Sequence, residues 1–288
     1  MMTPMAGFDA ETFREESRER WERIASGWAA AREALQREAA PVSAWLIEAI
    51  EPQPGQTVLE LAAGPGDTGL MAAQRVAPGG KAIITDGAEA MVEVAQARAV
   101  ELGIENVEVR QMEAEWIDLS AASVDGVLCR WGYMLLADPE AALRETRRVL
   151  RPGGRVALSA WDAPERNQWL ERGHRVAVER GLVPPPEPGA PGAFALAAPG
   201  RIEELLEAAG FDDVVVEAID LTVGAPSLDA WWERTLQTSA WMAQAVAGLS
   251  PADHYVFRDV FDDAYREFVG DDGRVAIPGR TLVAAAGA

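Results

Sequence analysis

An apolar run that turns directly into closely spaced glycines is the tightest constraint in this chain. Val58-Leu-Glu-Leu-Ala-Ala-Gly-Pro-Gly-Asp-Thr-Gly69 reads as a buried strand, a glycine turn and the start of a helix. That order brings backbone N–H groups close to a ligand at the mouth of a sheet. The chain then keeps the same alternation. Strands are expected at Thr57–Ala62, Lys81–Thr85, Val107–Arg110, Gly126–Cys129 and Arg155–Ala160, with helices at Thr68–Ala77, Ala88–Gly103 and Pro139–Leu150 between them. Apolar strands alternating with helices imply a parallel sheet covered on both faces. The turns Ala77-Pro-Gly-Gly80 and Arg151-Pro-Gly-Gly154 each close a helix and feed a strand, so they are connections rather than a repeat.

The flanks read differently. Trp21, Ile24, Trp28, Ala31 and Leu35 recur every three or four residues, the stripe of an amphipathic helix. Pro41 breaks that pattern, and Val42–Ile50 forms a second, shorter helix. Beyond Trp161 a helix is expected at Glu165–Arg180, then a Pro/Gly-rich loop at Val183–Gly192, a helix at Arg201–Ala209 and a strand at Asp213–Val223. Helices at Leu228–Val246 and Ala252–Val269 precede a closing strand, Thr281–Ala286. The segments 165–200 and 227–270 are insertions that carry Trp169, Trp231, Trp232 and Trp241, so they either cap an apolar pocket or extend the core. The chain divides into an N-terminal helical lid (1–50), a cofactor-binding core (51–162) and cap helices with the closing strands (163–288), as one structural domain with a cap.

Composition narrows the partners. With 26 basic against 46 acidic side chains the net charge is −20, the wrong sign for a phosphate backbone, so no nucleic acid is expected. No stretch approaches the roughly 18–20 apolar residues of a membrane span, and Met1–Arg14 lacks the order of a signal peptide. A cytoplasmic protein acting on a small-molecule substrate is the expectation, with a homodimer left open. Cys129 is the sole cysteine, which forbids an internal disulfide and a multi-cysteine metal site. Neither histidine has a second ligand at metal-site spacing, so no metal is expected.

The glycines allow two readings. Gly64-Pro-Gly-Asp-Thr-Gly69 matches G-x-G-x-x-G, and Asp86 lies 20 residues beyond Gly66, where a ribose-binding carboxylate belongs. A nicotinamide-dependent oxidoreductase would satisfy that pattern. Glu60, inside the first strand, points elsewhere: an anionic pyrophosphate has no use for it, whereas a phosphate-free cofactor with a cationic amino-acid tail does. Val58–Gly69 resembles motif I of class I S-adenosylmethionine-dependent methyltransferases. Ile83-Ile-Thr-Asp86 resembles motif II, Arg110-Gln-Met-Glu-Ala-Glu-Trp116 the acidic adenine-binding segment, and Val124–Arg130 motif IV. Val149–Leu158 is similar to the turn and strand that follow. The set spans about residues 40–162 in order, and its nearest group is the small-molecule type that includes ubiquinone and menaquinone biosynthesis enzymes (the methyltransferase type 11 group).

The resemblance implies an α/β fold with a doubly wound, seven-stranded, mostly parallel sheet of Rossmann-like methyltransferase type. N-terminal helices precede it, and a helical cap is inserted after strand five and before the last strand. It implies S-adenosyl-L-methionine as cofactor. Ala62, Gly64 and Gly66 then line the methionine moiety, Glu60 reaches its ammonium, and Asp86 accepts from both ribose hydroxyls. Gly87, Met91 and Met112 border the adenine, with Glu113 at its amino group, the Ala114 N–H at a ring nitrogen and the Arg130 carbonyl toward the amino end. Glu113 departs from the family, where aspartate is commoner.

Methyl transfer is an in-line displacement at a carbon already activated by the sulfonium, so the protein positions the acceptor and, where needed, takes its proton. His174, in the first cap segment, is the candidate base, and Tyr133 a further hydroxyl near the methyl path; plain packing is the alternative for each. His254 shares a face with Phe257, Phe261 and Phe268 and reads as packed. With the cap tryptophans, Arg130-Trp131-Gly132-Tyr133 and Trp161-Asp162 suggest an aromatic or apolar acceptor, methylated at O, N or C. A non-catalytic cofactor-binding protein of the same fold is the third reading.

Overall fold

A computed structural model describes residues 9–187 and 189–288. Residues 1–8 of the expected lid and Pro188 of the Pro/Gly-rich loop lie outside the described residues. Seven strands form one sheet: β1 (Thr57–Glu60), β2 (Lys81–Asp86), β3 (Val107–Gln111), β4 (Val124–Arg130), β5 (Leu150–Trp161), β6 (Asp212–Ala225) and β7 (Val275–Gly287). Their order is β3-β2-β1-β4-β5-β7-β6. The first five pair in parallel, and β7 runs antiparallel between β5 and β6. The chain reverses direction across the sheet between β1 and β4, so the carboxyl ends of those two strands open the crevice where such folds take ligands.

The helices are α1 (Ala10–Ala49), α2 (Asp67–Val76), α3 (Glu89–Leu102), α4 (Pro139–Val149), α5 (Gln168–Glu179), α6 (Arg201–Ala208), α7 (Leu228–Thr238), α8 (Ala240–Ala247) and α9 (Pro251–Tyr265). The main core lies under the sheet, where Val42, Leu46 and Ile47 of α1 meet Leu59, Val127, Leu128 and Val156. A second core joins α5, α7, α8 and α9 to the far ends of β6 and β7 through Trp231, Trp232, Met242, Phe257, Phe261 and Tyr265. Helices α5 and α7–α9 therefore share an apolar interior of their own beside the sheet.

Three expectations are corrected. Pro41 does not end the first helix: α1 runs unbroken for 40 residues. The proline forfeits one hydrogen bond, but Ala39, Val42 and Leu46 around it are buried, and their packing holds the helix together. Conversely, Leu228–Val246 is two helices, because Ser239 adopts an extended backbone between α7 and α8. Finally, Leu150 already pairs with Val124, so β5 starts before the Pro-Gly-Gly turn, which bulges out before pairing resumes at Arg155.

Candidate functional site

Three backbone positions in the glycine loop have φ in the left-handed region: Ala62 (48°), Gly64 (54°) and Gly66 (77°). An alanine there is strained by about 1–2 kcal/mol. The loop is nonetheless shaped as it would be with glycine, and Gly132 accommodates the Ala62 side chain. A Cβ at Gly132 would stand 2.6 Å from the Ala62 Cβ. Nothing lies within 4 Å of where a side chain at Gly64 would begin, so the backbone edge is open to a ligand there.

Glu60 and Asp86 flank that edge. The Glu60 carboxylate is buried and accepts the Gly69 N–H at 2.7 Å, holding the start of α2. Burial pushes its pKa up to about 8, against the pull of Arg130 and the Gly69 bond. Asp86 ends β2 and accepts from the Ala88 N–H at 2.9 Å and the Gly64 N–H at 2.8 Å. Burial raises it to about 6, with those two bonds opposing. Gly87 follows, close enough to Glu113 that a Cβ would come within 3.0 Å of its carboxylate. The Met112 N–H donates to the Asp86 carbonyl at 3.0 Å, which brings the ends of β2 and β3 together. Met112 and Ala114 are buried beneath. Met91, also buried, packs with Ala25 and Ala88 beneath Trp21 and Trp28. Gly64, Asp86, Gly87 and Glu113 thus lie along one rim, with Met112 and Ala114 buried.

Helix α1 crosses this rim, and three of its side chains, spaced by four, were missed when only its apolar stripe was read. Arg14 pairs with Glu115 (2.5 Å), Arg18 with Glu113 (2.7 Å), and Glu22 accepts the N–H groups of Glu89 (2.6 Å) and Ala90 (2.9 Å) at the start of α3. Spacing of four puts all three on one helix face, a signal the charges themselves carried. Further along α1, the Trp28 Nε1 donates to the Thr238 carbonyl at 3.0 Å, and a side chain at Gly27 would strike the Gln237 backbone.

Aromatic rings gather at the ends of β4 and β5. Trp131 stacks on Trp161 (4.2 Å, 16°), and Trp169 of α5 meets Trp161 edge-on (4.9 Å). His174 is half-buried in α5 with its ring edge against Trp241 of α8 (5.3 Å); burial lowers its pKa, with Glu171 opposing. Burial thus favours the neutral imidazole, the form a base requires. His254 lies edge-on to Trp232, as packing predicts.

Tyr133 is corrected. It is fully buried, and its hydroxyl lies 2.6 Å from the Thr146 Oγ1. Thr146 gives its one proton to the Ala142 carbonyl, so Tyr133 must be the donor to Thr146. Burial raises its pKa well above the ordinary value. It is a core residue with a committed proton, and no base.

The site fits S-adenosylmethionine better than a dinucleotide. Asp67, Asp86 and Glu113 around the loop oppose a pyrophosphate, and a bound ammonium would favour the ionised form of Glu60, which a pyrophosphate would not. Among the described residues no group of three or more His, Cys, Asp or Glu side chains could hold a metal ion, and no helix is long and apolar enough to cross a membrane.

Comparison with known proteins agrees. Residues 58–154 match the family described as "Methyltransferase domain". The nocamycin O-methyltransferase of Saccharothrix syringae is 33% identical over 199 residues, which cover 66% of this chain and 71% of the relative. A ubiquinone/menaquinone biosynthesis C-methyltransferase of Hahella chejuensis is 34% identical over 111 residues, 38% of this chain and 45% of that protein. Among solved structures, the [4+2]-cyclase SpnF superposes with a TM-score of 0.61 at 15% identity, over 95% of this chain and 96% of its own; that likeness speaks for the fold alone. No comparison supports the nicotinamide alternative. The chain belongs to the class I S-adenosylmethionine-dependent methyltransferases of small-molecule type, and is an enzyme that uses S-adenosylmethionine.

Proposed function

We propose that this enzyme methylates a hydroxyl on a small aromatic or apolar acceptor in the cytoplasm, by in-line displacement without a metal. The observation that carries the reading is the cluster Trp131–Trp161–Trp169 at the ends of β4 and β5, faced by the cap that holds His174. Trp161 is buried in the main core, and Trp131 and Trp169 are part-buried against it, so these two would offer an apolar, flat face to a ligand of the same character. The name of the nocamycin O-methyltransferase, matched over 199 residues, favours oxygen as the accepting atom.

The cofactor supplies a methyl carbon made electrophilic by the adjacent sulfonium. Around it, Asp86 holds the ribose hydroxyls, Glu60 faces the ammonium, and the backbone of Ala62, Gly64 and Gly66 lines the methionyl chain. Gly87, Met91 and Met112 border the adenine, with Glu113 and the Ala114 N–H at its polar edge and the Arg130 carbonyl near the amino end. Helix α1 closes over them as a lid. With the cofactor supplying the methyl group, His174 would take the proton of the acceptor hydroxyl. Such base catalysis typically contributes about 10²–10⁴-fold.

A methyl-transfer assay against phenols, enols, amines and carbon nucleophiles tests the reading. Turnover of a phenol or enol is expected, and turnover of amines or carbon acceptors alone rejects it. On the accepted substrate, His174→Ala lowers kcat at least about tenfold with cofactor affinity near wild type. Full turnover in that variant removes the base role.

A further inference from the structure

Arg130 ends β4 beside the glycine loop, and part of its guanidinium has no partner among the described residues: its Nε is buried and makes no hydrogen bond there. A buried donor left unmatched is costly, so it calls for an explanation. The carboxylates whose charge Arg130 feels are Glu60 and Asp67. Both are engaged elsewhere, Glu60 with the Gly69 N–H and Asp67 with Arg98, 4.0 Å away.

The guanidinium is also held in place. Its carbon lies 5.0 Å from the centre of the Trp131 ring, and Trp131 in turn stacks on Trp161. Trp131 has φ of 59°, a strained backbone for a bulky aromatic residue. Ser159 and Thr281 fix it there: the Trp131 N–H donates to the Ser159 carbonyl and Oγ, both at 3.1 Å, and its Nε1 donates to the Thr281 Oγ1 at 2.9 Å. Strain maintained from two neighbouring strands is what a ligand site shows when it pre-orients a group. A guanidinium stacked on an indole keeps its N–H fork in its own plane, the geometry that suits a carboxylate.

We propose that the Arg130 guanidinium binds the carboxylate of the cofactor's methionyl group, and that Glu60 and Arg130 together recognise the two ends of its zwitterion. The inference rests on the cofactor reading of the glycine loop. Glu60 pairs in register with Leu128, two residues before Arg130, so neighbouring strands present opposite charges at one end of the sheet. An α-amino acid carries an ammonium and a carboxylate on one carbon and matches that pair.

Titration calorimetry with S-adenosylhomocysteine and its decarboxylated analogue, which keeps the amine, tests the proposal. Wild type is expected to prefer S-adenosylhomocysteine at least tenfold, and absence of that preference overturns the proposal without any variant. Arg130→Met is expected to lose at least tenfold in affinity for S-adenosylhomocysteine and less than twofold for the analogue. Arg130→Lys, which keeps the charge but not the fork, falls between. Equal losses for the two ligands would mean that Arg130 serves only the loop's structure, and overturn the proposal. So would unchanged S-adenosylhomocysteine affinity with a raised acceptor KM, which assigns the carboxylate to the acceptor. Asp86→Ala separates the underlying reading: it weakens both ligands alike if the cofactor sits as described, and neither if that reading fails.

Discussion

Asp86 and Glu60 show how single carboxylates are tuned by burial at a strand end. Each is held above its ordinary range, to about 6 and about 8, because the folded chain removes water from it. A carboxyl that keeps its proton when folded and releases it when unfolded weakens folding as pH rises from its unfolded to its folded pKa. For Glu60 that window runs from 4.5 to about 8. The melting temperature of the unliganded wild type, measured against Glu60→Gln, is therefore expected to fall across that range; a flat difference would place the carboxylate in a wetter setting. A bound ammonium reverses the preference and favours the ionised form. Cofactor binding near pH 7 should then release a proton, read by calorimetry in buffers of different ionisation enthalpy, and Glu60→Gln should abolish that release. Asp86→Ala should cost about 1.5–3 kcal/mol of cofactor affinity, the range for hydrogen bonds to a charged group. Tyr133→Phe should leave kcat unchanged and cost about 0.5–1.5 kcal/mol of stability, since only the bond to Thr146 is lost. Glu60, Asp86 and the glycines were legible because a charge or a missing side chain beside a strand has few other uses. Strain at Ala62 and the bracing of Arg130 were not, because φ and stacking depend on neighbours distant in sequence.

Helix α1 serves two parts of the molecule. Its second half packs into the main core through Val42, Leu46 and Ile47, while its first half meets the rim of the site through Arg14, Arg18 and Glu22. The tryptophan stripe announced a helix needing an apolar partner; the continuation through Pro41 was not legible, since tertiary burial there outweighs a local helix breaker. The two rim pairs differ in worth. Glu115 is buried and also accepts the Asp138 N–H that precedes α4, so removing its arginine strands a charge. Arg18 and Glu113 are both part-exposed, where an ion pair contributes about 0.2–1 kcal/mol. Chemical denaturation should accordingly show Arg14→Ala more destabilising than Arg18→Ala, by about 1 kcal/mol or more. If the first half of α1 is a lid, cofactor adds hydrogen-exchange protection across residues 10–40, and the double variant loses it. Equal protection with and without cofactor would mark it as static packing.

At the scale of the molecule, the sheet and the cap share strands rather than a linker. β5 pairs with β7 from Arg155–Gly287 to Trp161–Thr281, and β7 extends to Val275, where Val275 and Ile277 join the cap's own core. Period and composition showed five parallel strands and an aromatic-rich insertion. They did not show that the last strand would thread between β5 and β6 in the opposite direction, because strand direction is set by where a connection returns and not by residue pattern. The consequence is that residues 51–162 do not form an independent unit. Cut out, they would lose the partner of β5 on one edge and, from α1, the helix that covers Val127 and Val156, exposing backbone donors and apolar surface together. Such a fragment is expected to show collapsed amide dispersion and exchange within seconds. A chain beginning at Ala40 keeps the buried half of α1, both cores and every strand, so it should fold. It forfeits the Glu38–Arg234 pair, the Trp28 bond to Thr238 and the cover over Met91, and with them at least about tenfold in cofactor affinity. Unchanged affinity in that folded truncation would confine the first half of α1 to a structural part and leave the site complete without it.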